Sequence, residues 1–287
     1  MRAKFEYLAP TEVNEVCTLL QEHGSEAKLL AGGTALVMWL RMGLLNPKLV
    51  INLEGVSSLN GITYDPADGL RIGAGVKHRD LELYSEVQKY YPLLKETFYK
   101  VAQPRIRLMA TVGGNLSHGD PLTDPGASFI ALNAEVVLQS SRGKRTLSVE
   151  DFFVDYYETS LEPDEILTSI HVPPPSSAAW SHIKFTPRSE EDFATVGVAV
   201  TITGVKNHCE DIRIGLNSVG PTIFRAHAAE NVLRGRSITP ARLKEASAEA
   251  ANASDPIEDV RGSSEYKREL VAVFVQRAIE QAATRLG

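Results

Sequence analysis

Two pairs of adjacent glycines carry the chemistry that this sequence offers most plainly: Gly32-Gly33 in Ala31-Gly32-Gly33-Thr34-Ala35, and Gly113-Gly114 in Thr111-Val112-Gly113-Gly114-Asn115. Paired glycines permit positive φ and remove the side chains that would hold a pyrophosphate away from main-chain N–H groups. A helix that follows such a loop adds free N-terminal donors and the positive end of its dipole. Thr34 and Thr111 place hydroxyls beside the two loops, and Asn115 and Asp124 could hold sugar or ring atoms of the same ligand. The chemistry suggested is the binding of a dinucleotide. A single Gly-Gly between strand and helix is most often only a tight turn; two such loops in one chain are a more specific signal. Neither loop is a G-x-G-x-x-G fingerprint, and no G-x-x-x-x-G-K-[ST] phosphate loop occurs.

Other constellations are weaker. Ser117, His118, Asp120 and Asp124 resemble a hydrolytic set only by residue type, because no nucleophile elbow surrounds Ser117. His118 lacks a second histidine or cysteine at metal-ligand spacing. Cys17 and Cys209 fall short of the thiolate set of an iron–sulfur cluster and read as two reduced thiols. Glu190-Glu191-Asp192 is an acidic run of the kind that forms a solvated loop, or biases the potential beside a redox cofactor.

The elements that must position these loops follow from pattern. A helix begins after Pro10 with Thr11 as its cap, buries Val13, Val16, Leu19 and Leu20, and ends at Gly24. Residues 28–31 read as a strand entering the first glycine pair. A helix then carries Met38, Trp39 and Met42 to Gly43, with Met38 and Trp39 as core residues, and residues 49–53 return as a strand. This is a compact βαβ-like unit. A second block has strands at 70–74, 135–139 and 166–172 and helices near 78–84 and 93–101, with an apolar run at 127–132. Pro173-Pro174-Pro175-Ser176-Ser177 then reads as a linker. Beyond it, strand-like runs at 193–203 and 212–219 precede helices at 226–233, 240–253 and 264–285. In the last of these, Tyr266, Leu270, Phe274 and Ala278 form an ordinary amphipathic face. The expected class is α+β: two lobes, 1–55 and 56–175, then a smaller α+β domain, 176–287, with helices on one face of an antiparallel sheet.

Composition bounds the rest. With 43% apolar and 23% charged residues over 287 positions the chain is an ordinary globular protein of roughly two domains. A net charge of −6 argues against a nucleic-acid or anionic-membrane partner. No stretch has the apolar length of a membrane span or a signal peptide, so the expectation is a soluble, cytoplasmic protein.

Taken together, the loops and their surroundings resemble the FAD-binding medium subunit of the molybdenum hydroxylases, the family of carbon monoxide dehydrogenase and xanthine dehydrogenase. The resembling residues are Leu30-Ala31-Gly32-Gly33-Thr34-Ala35-Leu36 with Val50-Ile51-Asn52-Leu53, and Ala110-Thr111-Val112-Gly113-Gly114-Asn115-Leu116 with Asp120-Pro121 and Asp124. Asp164-Glu165-Ile166-Leu167, Lys184-Phe185 with Arg188 and Asp192, and Arg261-Gly262-Ser263-Ser264-Glu265-Tyr266 continue it to the C-terminus. The match runs in order along almost the entire chain.

The resemblance implies a two-lobed FAD-binding domain of the PCMH type, with the cofactor in the cleft between lobes, then a family-specific C-terminal domain. It implies that Leu30 to Leu36 and Thr111, Val112, Gly113, Gly114 and Asn115 cradle FAD, with Val101, Asp124, Leu167 and Lys184 as further contacts. Phe193 is the candidate to stack on the isoalloxazine ring. Some flavoproteins of related architecture tether FAD through a histidine where this chain has Thr34, so non-covalent FAD is expected. The molybdenum cofactor and [2Fe–2S] clusters would belong to a large and a small partner subunit, in a dimer of heterotrimers, with this chain passing electrons to a terminal acceptor. The alternatives are an independent flavin reductase or oxidase of the same fold, a scaffold that has lost flavin, and an unrelated α+β nucleotide-binding module.

Overall fold

A computed structural model describes residues 4–175 and 178–286. Ser176 and Ser177 of the expected linker lie outside the described residues. The first unit is a parallel sheet in which Leu49–Asn52 lies between Glu6–Leu8 and Ala27–Leu30. The helix Val13–His23 links the two outer strands and buries Val16, Cys17 and Leu20 against Ala27, Leu49 and Ile51. Thr11 does not cap it. The cap position is Glu12, with no side-chain bond to the first turn, so Thr11 stands one residue too early to reach an orphan N–H.

The second unit is an antiparallel sheet in the order Ile62–Asp65, Gly69–Gly73, Ile166–Val172, Glu135–Ser140, Gly143–Ser148. Its centre is Ile166–Val172, which arrives from late in the sequence and inserts between two earlier hairpins. The helices Pro92–Lys100 and Pro125–Ala131 cover it, with Leu94, Phe98 and Phe129 against Leu70, Ile72, Val136 and Ile170. The run at 127–132 is thus mostly helix.

The third unit is a four-stranded antiparallel path of Ala179–Phe185, Val196–Val205, His208–Asn217 and Phe224–Arg225. Val196, Val198, Val200 and Ile202 face the helices Pro240–Ala253 and Ser264–Ala283. The alternate residues face the second unit. Ala199 joins the core around Phe129, and the Thr201 hydroxyl donates to the Ala131 carbonyl at 2.8 Å. Contact is so close at Gly215 that a Cβ would lie 2.1 Å from the Ala127 oxygen. Helices of its own do cover one face, as expected, and Pro125–Ala131 covers the other. A strand buried on both faces reads as a continuous apolar run, which explains Val196 to Ile202.

Candidate functional site

The two glycine loops, some eighty residues apart in sequence, meet backbone to backbone. A Cβ on Gly32 would lie 2.1 Å from the Met109 carbonyl oxygen, and one on Gly114 would lie 3.8 Å from the Ala31 methyl group. Gly113 is pressed from the other side. Its N–H donates to the Ala74 carbonyl at 2.9 Å, and a Cβ there would be 2.4 Å from that of Ala74. The second loop is therefore wedged between the end of Gly69–Gly73 and the first loop. Glycine is required at both because backbone occupies the space a side chain would need.

The loops differ in the donors they offer. In the first, Gly33 has φ +72°, a left-handed conformation that glycine adopts freely. Among the described residues, the N–H groups of Gly32, Gly33, Thr34, Ala35 and Leu36 meet no protein acceptor, whereas Val37 N–H already returns to the Gly33 carbonyl. Unpaired N–H groups call for an acceptor, and a run of five suits a polyanion. The second loop departs from expectation. Its helix, Val112–Ser117, has no free N-terminal donors: Val112 N–H donates to Val76 O, Gly113 to Ala74 O and Asn115 to Thr111 O. The Gly114 N–H is capped by the Thr111 hydroxyl at 3.1 Å. What remains free is the Thr111 hydroxyl proton, since that oxygen accepts from Gly114 and can still donate. The Asn115 Oδ1 is buried with no partner, so it can accept from a ligand hydroxyl. Ala31 and Thr111 both line a cleft of about 410 Å³, together with Leu53, Val76 and Lys77.

A second group gathers where the third unit meets the second. Lys184, on Ala179–Phe185, lies 3.0 Å from the Asp124 carboxylate, with the two side chains 3% and 5% exposed. The same ammonium donates to the Lys100 carbonyl at 2.8 Å. Val101 is the residue next to it, at the end of Pro92–Lys100. Burial pushes the Asp124 carboxyl above its usual range, outweighing the pull of the Lys184 ammonium in the other direction. Leu167 is 3% exposed, at a bulge of the central strand. The Thr168 carbonyl beside it accepts from Ala74, which ties Leu167 to the wall behind Gly113. Phe193 stands apart from this group: it is 46% exposed, with the Arg261 guanidinium 5.8 Å from its ring. Its loop is tied back by Gln103, whose amide donates to Glu191 at 2.7 Å.

Trp39 and Met38 are not core residues. No residue of Leu36–Met42 is buried, and Met38 is 56% exposed. Trp39 instead meets His118 and Tyr157 of the second unit, with ring centroids 4.7 and 5.2 Å away. The helix packs along one edge against the other lobe, which periodicity alone cannot distinguish from core packing. Sequence reasoning also missed Arg107, which is 5% exposed. A buried arginine leaves no mark in composition, and Arg105-Ile106-Arg107 looks like a solvated turn.

Residues 3–175 match the family described as the FAD binding domain in molybdopterin dehydrogenase, and residues 181–282 match the CO dehydrogenase flavoprotein C-terminal domain. The chain is 35% identical to the carbon monoxide dehydrogenase medium chain of Hydrogenophaga pseudoflava, covering 98% of each. It is 34% identical to the nicotine 6-hydroxylase medium subunit of Paenarthrobacter nicotinovorans, covering 97% of each. A solved structure of the Hydrogenophaga pseudoflava carbon monoxide dehydrogenase superposes with a TM-score of 0.97 at 36% identity, over 100% of both chains. With its paired glycine loops and run of unpaired N–H groups, the chain belongs to the family of FAD-binding medium subunits of the molybdenum hydroxylases.

Proposed function

We propose that this chain is the electron-transfer flavoprotein subunit of a molybdenum-containing hydroxylase or dehydrogenase, receiving electrons from [2Fe–2S] clusters of a small partner subunit and delivering them to a terminal acceptor. A large subunit carrying the molybdenum cofactor would oxidise the substrate, in a dimer of heterotrimers. The support is similarity over the full length to chains named as medium subunits, together with the one feature that carries the cofactor reading: five consecutive N–H groups, at residues 32–36, that meet no protein acceptor among the described residues, in a loop that lies against the second glycine loop. Two buried free cysteines suit a reducing, cytoplasmic compartment. Among the described residues no helix is long and apolar enough to cross a membrane.

In this reading Leu30 to Leu36 bind the FAD pyrophosphate through main-chain N–H groups, and the Thr111 hydroxyl donates from the opposite side. Val112, Gly113 and Gly114 supply a wall without side-chain obstruction, and Asn115 Oδ1 accepts from a ribityl or ribose hydroxyl. Val101, Leu167 and the Asp124–Lys184 pair sit on the ring side. Phe193 is the exposed aromatic that would cover the ring. FAD supplies a carrier of one or two electrons; the protein supplies orientation and fixed charge. With Thr34 in place of a tethering histidine, the flavin is held non-covalently. The domains divide as 1–175 for the cofactor, in lobes 1–55 and 56–175, and 176–287 for the C-terminal domain.

The test is a rapid-mixing experiment on the purified chain with its FAD. The isolated chain should keep an oxidised flavin when mixed with the organic substrate, and addition of the two partner subunits should restore substrate-dependent bleaching. Direct reduction by substrate without partners would support the runner-up, an independent flavoenzyme.

A further inference from the structure

Three successive carbonyl oxygens at the end of Pro92–Lys100 are each held by a buried cation. Lys184 donates to Lys100 O at 2.8 Å, and one nitrogen of Arg107, Nη1, donates to Val101 O at 2.9 Å and Ala102 O at 2.8 Å. The Arg107 Nε turns the other way, to the Glu82 carboxylate at 3.1 Å, with the two side chains 6% and 4% exposed. Glu82 is also paired with Arg79. The turn so gripped contains Ala102 at φ +42°, one of only five non-glycine residues with positive φ among those described. A residue with a Cβ is disfavoured there and persists only when its surroundings enforce it. The enforcing contacts are the two bonds from Arg107. A helix C-terminus is also where a cation meets unpaired carbonyls and the negative end of the dipole.

We propose that Arg107 is a positioning residue for the flavin ring: by clamping the Val101 and Ala102 carbonyls it holds the strained turn that presents residue 101 to the cofactor. This rests on the reading that Val101 lies on the ring side. Glu82 orients the guanidinium, so the clamp has a support behind it. The planar fork of arginine matters, because it binds two carbonyls from one edge while Nε serves the carboxylate. A lysine ammonium, a point charge on a flexible stem, cannot hold all three in that arrangement. From the clamp the chain runs directly through Leu108 and Met109 to the contact with Gly32, so the turn also sets where the second glycine loop begins.

The test uses the full chain with FAD and four variants: Arg107→Lys, Arg107→Lys with Ala102→Gly, Ala102→Gly alone, and Val101→Ala. FAD dissociation constant, visible circular dichroism of the bound flavin and flavin midpoint potential are read against the urea midpoint. Arg107→Lys should weaken FAD binding about tenfold or more and change the dichroism. Ala102→Gly should recover much of both in that background, because glycine adopts positive φ without enforcement, while on its own it should leave them near the parent. A loss of urea stability with unchanged dissociation constant and dichroism, or a flavin defect that glycine at 102 does not relieve, would overturn the proposal. An unchanged flavin spectrum in Val101→Ala would overturn the ring-side reading, and the proposal with it. A shifted spectrum there beside an unaffected Arg107→Lys would overturn the role of Arg107 alone.

Discussion

Gly32 and Met109 meet where the two glycine loops approach one another: the Cα of one faces the carbonyl of the other so closely that a methyl group would lie 2.1 Å from the oxygen. Neither atom can move without moving a loop. Gly32→Ala should therefore force the lobes apart, lowering stability by about 1–3 kcal/mol as overpacking does, and FAD retention should fall with it. Urea unfolding and flavin content of the same preparation check this. A stable Gly32→Ala protein with full flavin would mean that the loops are not in this contact.

Gly114 makes the opposite kind of contact. The nearest atom to its missing Cβ is the Thr111 hydroxyl at 2.7 Å, a side chain that can rotate away. Gly114→Val should leave the fold largely intact and abolish FAD retention, by obstructing the cradle and evicting the hydroxyl from the Gly114 N–H. The comparison is Gly43→Val. Gly43 ends Leu36–Met42 at φ +74° with nothing around it, so valine there should cost roughly 1–2 kcal/mol of left-handed strain without a specific flavin defect. Equal FAD affinity in Gly114→Val and the parent would mean that the pyrophosphate lies elsewhere.

How much of this was legible in the sequence depended on whether a residue's role is local. Gly43 as a helix end, the helix Pro240–Ala253 and the central strand Ile166–Val172 follow from turn chemistry and periodicity over a few residues. The strand Ala179–Phe185 was not legible. His182 and Lys184 break its apolar pattern because they face the second unit rather than water, as the buried Lys184–Asp124 pair makes plain, and Ser181 breaks it on the other face, where its hydroxyl donates to Gln281 of Ser264–Ala283. The glycine pairs announced a ligand, but nothing local distinguished the loop that keeps its donors free from the one that uses them. That difference comes from Ala74 and Val76, brought in by another strand and its following turn.

His78 and His182 should make stability fall on mild acidification. Burial lowers the His78 pKa to about 4 and, with the nearby lysines 100 and 184, that of His182 to about 3, from an ordinary value of 6.5. Below that ordinary value the unfolded chain takes up protons that the folded chain refuses, so stability is full above it. It is then lost as pH falls towards the folded values, at up to about 1.4 kcal/mol per pH unit for each histidine. Both ring nitrogens of His182 lack partners, so His182→Met removes the titration without removing a hydrogen bond. Urea midpoints at about pH 7.5 and pH 5.5 should differ less in that variant than in the parent. An unchanged difference would show that His182 is not buried in its neutral form.

Lys184 and Asp124 should be worth more together than either is alone. Removing one partner of a buried pair leaves an uncompensated charge and costs roughly 3–5 kcal/mol, whereas replacing both is close to neutral. Lys184→Met strands the Asp124 carboxylate in a site that already pushes its pKa up, so the variant should gain from protonating it. The folded variant then holds a proton that the unfolded chain releases, and its stability should drop as pH rises through the raised folded value. Its deficit against the parent should accordingly be smaller near pH 5 than near pH 8. Lys184→Met with Asp124→Asn should regain most of the stability and lose that pH dependence. Should the double variant be as unstable as the single one, the Asp124 charge is not what Lys184 compensates, and its bond to the Lys100 carbonyl becomes the reason the ammonium is buried.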